Sequence, residues 1–142
     1  MTDPFLEFLG FALPVLVALM VLASVVHASF AARRPAPPGP LFRPRVILVC
    51  LLHLVIAGGV CRYLVIDGWL AATYHWNDPD DINLVLAIFE PLCVVAVVAL
   101  LVAGKWFLYR LLVDLLIIQL LFAAAFLALV LLFVLTWKSG ML

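Results

Sequence analysis

Five ionisable side chains stand inside otherwise apolar stretches: His27, His53, Arg62, Glu90 and Asp114. Glu90 can take up a proton or a cation, as carboxylates of transporters do, or it can close an ion pair with an arginine. Two neutral imidazoles at one depth, His27 and His53, can hold the iron of a b-type haem or another metal centre, or lie hydrogen-bonded in a packed core. Asp114 follows Arg110 at the i to i+4 separation of a local helical ion pair.

Spacing sorts these groups further. Glu90 shares a helical stripe with Asn83, Ala87 and Cys93. A stripe so small and polar is expected to turn toward neighbouring helices. Counted from the outer helix ends at ~1.5 Å per residue, Glu90 lies about 12 Å deep and Arg62 about 8 Å deep. An arginine spans that difference, so an Arg62–Glu90 ion pair is the expected clamp, with Asn83 on the same polar path. Pro91 frees the carbonyl of Ala87 from its helical bond and offers a further acceptor. Cys50, His53, Ala57 and Cys61 form a small stripe with Arg62 pointing the opposite way, while Ser24, Ala28 and Ala32 form a ridge with His27 beside it. Such ridges bring backbones close, which would deny a porphyrin its slot. Hydrogen-bonded histidines are therefore the expectation, haem b held by His27 and His53 the alternative. Gln119 is expected to make an interhelical hydrogen bond.

The elements that carry these residues follow from composition. Of 142 residues, 69% are hydrophobic and 11% charged. A soluble domain needs roughly a quarter of its residues charged to cover its surface. The solvent for this chain is therefore lipid, and the expected fold is all-α, a single domain built as a bundle of four transmembrane helices. About 20 apolar residues cross ~30 Å of hydrocarbon, and four segments qualify, near residues 5–31, 46–66, 79–103 and 106–137. Pro14 predicts a kink in the first. Asp78, Pro79, Asp80 and Asp81 supply a cap and first-turn acids for the third. The acids near the N-terminus and the long apolar run behind them speak for a retained helix rather than a cleaved signal.

Charge gives the orientation. Arg33, Arg34, Arg43, Arg45, Lys105 and Arg110 fall in or beside the first and third connections, whereas Asp3, Glu7, Asp67, Asp78, Asp80 and Asp81 fall at the opposite end. Basic loops stay cytoplasmic, so both chain ends are expected on the non-cytoplasmic side, with Lys138 alone against the trend. Trp69, Tyr74, Trp76 and Trp137 would mark the outer interface, Trp106 and Tyr109 the inner.

The connector from Arg33 to Arg45 holds five prolines, so it is expected to run extended with its arginines among lipid headgroups. His75 with Asp78 and Asp80 loosely resembles a metal cluster, but capping and solvation account for the acids. Eight basic residues balance eight acidic ones, which removes the basic excess that nucleic-acid binding needs. The cysteines have no zinc-type spacing, and no hydrolase, phosphate-loop or dinucleotide motif occurs. Enzymatic activity is not expected. The expected role is a structural or accessory subunit of a larger membrane complex, with other subunits or copies of itself as partners. An ion- or proton-coupled channel or transporter using Glu90 is the alternative, and a b-haem electron-transfer anchor the second. Small size and short loops suggest a bacterial cytoplasmic (inner) membrane.

Overall fold

A computed structural model describes the backbone of residues 4–74 and 81–139, and the side chains there apart from 5–10, 13, 67–74 and 81–84. The fold is all-helical: α1 (Pro4–Ala31), α2 (Pro44–Tyr74), α3 (Asp81–Ala103) and α4 (Trp106–Lys138). All four are long and apolar enough to cross a membrane. The second apolar stretch of the sequence ends at Ile66, before Asp67, but the helix runs on to Tyr74. Hydropathy marks where lipid would be left, whereas helical hydrogen bonds continue through any residue that tolerates the conformation. The helices also run through Pro14 and Pro91.

The connections at the basic end are built differently. Between α1 and α2, Arg43 folds back and donates to the carbonyls of Pro37 and Pro38, clasping the proline-rich segment. Between α3 and α4 only Gly104 and Lys105 intervene. Gly104 has φ +62°, and its N–H caps the carbonyl of Leu100 at 2.9 Å. This is the left-handed helix stop that suits a residue without Cβ. It turns α4 back antiparallel along α3.

The core lies near this end, where Val46, Val49 and Cys50 of α2, Val97 and Leu100 of α3, and Leu112 and Leu116 of α4 interlock. On each helix these residues recur at three- and four-residue steps, one face of a 3.6-residue repeat. Helix α1 packs on the other side of α4, burying Ser24 and Ala28. Among the described residues α1 touches α3 and α4 but not α2. Every residue from Leu120 to Leu135 on α4 is exposed.

Candidate functional site

Helix α4 presents polar groups on two faces. Residues 112, 116 and 119 lie on one side of a 100°-per-residue wheel, and residues 114, 117 and 118 on the opposite side. The first side meets α2 and α3, the second meets α1.

On the first side, His53 of α2 is fully buried and its Nε2 lies 2.7 Å from the carbonyl oxygen of Leu112. With a proton on Nε2 the ring donates there, while Nδ1 has no partner. Seven residues further along α4, Gln119 donates from Nε2 to Oε1 of Glu90 at 2.9 Å, with Cys93 Sγ 3.9 Å from the same nitrogen. Glu90 is 4% exposed, and Cys93 is fully buried. The turn at Gly104–Lys105 sets this register: Glu90 stands thirteen residues before Ala103 and Gln119 thirteen after Trp106. Both therefore lie about 20 Å from the basic end at ~1.5 Å per residue.

The structure thus gives Glu90 a neutral partner in place of Arg62. Arg62 is exposed and on the far side of α2 from the buried stripe of Val46, Cys50, His53 and Ala57. Counted from Pro44 it lies ~27 Å along its helix, beyond the level of Glu90. The expected clamp measured depth from outer ends, and α2 continues past the residue taken as its end. Cys61 and Ala87, placed on the polar stripes by spacing, are also exposed. Asn83 belongs to α3, but its side chain lies outside the described residues, as do the side chains of Trp69 and Tyr74. His75, Trp76, Asp78 and Asp80 lie outside them entirely.

On the second side, His27 Nδ1 of α1 lies 2.7 Å from Asp114 Oδ2. The pair replaces the local Arg110–Asp114 contact. Arg110, one turn earlier, instead places its guanidinium 5.4 Å from the ring centre of Trp106, and Trp106 in turn packs on Tyr109 with centroids 4.8 Å apart. The imidazole is 70% exposed and the Asp114 carboxylate 18%. Beside the pair, a shallow groove of about 300 Å³ runs between α1 and α4, floored by Met20, Ala23, Ile117 and Ile118.

His27 and His53 are not brought together. They approach α4 from opposite faces, and among the described residues their own helices do not touch. A single porphyrin between them would require α4 to leave its place. Among the described residues no group of three His, Cys, Asp or Glu side chains converges on a metal position.

What sequence reasoning missed was pairing. The Glu90–Gln119 contact carried a usable signal, because reflection about a two-residue turn places the two at one height. The His27–Asp114 contact carried none, since nothing in the chain order says that α1 packs on α4. The chain has no significant match among protein-family models, curated proteins or solved structures.

Proposed function

We propose that this chain is a small integral membrane subunit that spans the bilayer four times, with its basic end in the cytoplasm, and assembles with other membrane chains or with copies of itself. The observation that carries the reading is the His27–Asp114 pair. It lies about 6 Å from the end of α1 and about 12 Å from the start of α4 at ~1.5 Å per residue, yet its imidazole is exposed. Ionisable groups at membrane depth ordinarily turn toward a bundle interior or a water-filled cavity. An exposed imidazole bound to a carboxylate beside an apolar groove is accounted for by a neighbouring subunit that covers it. The exposed stretch from Leu120 to Leu135 leaves a long apolar surface that such a partner, or lipid, would cover.

Native mass spectrometry after extraction in mild detergent tests this. The expected result is a species heavier than one chain, lost on His27→Leu, which leaves Asp114 without its partner. A lone chain under conditions that keep known complexes intact, with the His27→Leu protein behaving identically, would refute it.

A second reading rests on the other face of α4. A buried carboxylate linked to a carboxamide near the middle of an apolar helix pair also suits proton- or ion-coupled transport. Proteoliposomes of the purified chain would then pass protons or monovalent cations at a rate abolished by Glu90→Leu.

A further inference from the structure

Among the described residues, three buried side-chain atoms lack a hydrogen-bond partner: His53 Nδ1, Glu90 Oε2 and Gln119 Oε1. The last two belong to one contact, in which Gln119 Nε2 donates to Glu90 Oε1. After that bond is made, the pair has two oxygens left over, both acceptors. What it lacks is a donor. Buried polar groups are almost always satisfied, so two adjacent orphans of the same kind call for one explanation.

No cationic side chain among the described residues supplies it. Arg62 is exposed, and the ion pair formed by described residues is that of His27 with Asp114 on the opposite side of α4. The remaining titratable group at the contact is Cys93, which carries no positive charge. A water molecule could donate to both oxygens, but it would leave a carboxylate charge buried in an apolar bundle without a counter-charge, which the interior strongly disfavours. A proton on the carboxyl removes the charge and provides the donor in one step.

We propose that Glu90 is a proton-binding site, in which the proton resides on Oε2 and is donated to Oε1 of Gln119. The carboxylic acid and the carboxamide then close a ring of two hydrogen bonds across α3 and α4. Each group donates once and accepts once. The end groups turn about terminal torsions with broad minima, which lets carboxyl and carboxamide rotate toward the ring geometry. The proposal rests on the hydrogen-bond count of the pair and holds under either reading of function. It makes the α3–α4 contact dependent on one dissociable proton, because losing it places a charge at the contact and removes the bond to Gln119.

Infrared difference spectroscopy of the purified chain in lipid nanodiscs at neutral pH tests the proposal. Subtracting the E90Q spectrum from wild type is expected to leave a carbonyl band of a protonated carboxylic acid and no carboxylate stretch. The Q119L variant provides the control against misfolding of E90Q, since the same acid band should persist and move to higher frequency as its hydrogen bonds are lost. Thermal denaturation adds an independent readout. E90Q retains a ring, because an amide N–H replaces the acid O–H, so its midpoint should stay with wild type while that of Q119L falls. A carboxylate band in the wild-type difference spectrum, or an acid band that Q119L leaves unshifted, would overturn the proposal.

Discussion

Replacing Gly104 with alanine should destabilise the bundle by about 1–2 kcal/mol. The reason is local. Gly104 holds φ +62°, where an L-residue places Cβ against the following carbonyl at a cost of roughly 1–2 kcal/mol. An added Cβ would also meet Leu41 Cδ2 at 3.1 Å. That atom is the tip of a flexible side chain, so the contact relaxes and the backbone term decides. A loss of ~1–2 kcal/mol lowers the folded-to-unfolded ratio by a factor of about 5–30. Asparagine, which tolerates the left-handed region, should lose less than alanine, and valine should lose most. Gly58 and Gly59 provide the contrast. Both lie inside α2 with no atom within 4 Å of an added Cβ, so alanine there should be neutral or stabilising by about 0.5–1 kcal/mol. Equilibrium unfolding of the purified chain by SDS in mixed micelles, followed by circular dichroism, measures all five variants. The reasoning fails if Gly104→Ala is as stable as wild type, or if Gly58→Ala loses as much.

Two further outcomes follow from burial. Cys61 is exposed whereas Cys50 and Cys93 are 6% and 0% exposed, so an apolar maleimide should modify one thiol per folded chain and all three after denaturation, by mass spectrometry. Prior modification of Cys50 or Cys93 would contradict the packing. Leu112→Ala removes a fully buried side chain from the junction of α2, α3 and α4. In lipid the cost is lost packing rather than lost water exclusion, so about 1–3 kcal/mol is expected, below the 2–5 kcal/mol of an aqueous core. The exposed Leu131→Ala should change stability by less than about 0.5 kcal/mol, and equal losses for the two would refute the assignment of the core.

Much of the fold was legible in the chain, and rather less of the site. Apolar run length located four helices, and the placement of Arg33, Arg34, Arg43, Arg45, Lys105 and Arg110 set a basic end apart from an acidic one. Which residues of α2 turn inward was legible at Cys50, His53 and Ala57, since small and polar residues on one helical face need protein beside them. Pairing was not. Arg62 and Glu90 have complementary formal charges and, counted from the helix ends expected from sequence, similar depths. Yet α2 runs past its expected end, and charge and depth leave open the direction in which each side chain leaves its helix. Arg62 leaves α2 on the wrong side.

Run length, turn residues and charge are properties of single segments, so the chain alone specifies four apolar rods and the end of the bundle where most of the cations gather. Only the packed bundle shows that α4 stands between α1 and α2, so that Asp114 answers His27 and the Leu112 carbonyl answers His53, and that Gln119, whose height the short turn sets, is rotated toward Glu90. Each of those contacts depends on the rotation of two helices about their axes and on which helices are neighbours. Both are fixed by how side chains interlock at the core rather than by the composition of either helix.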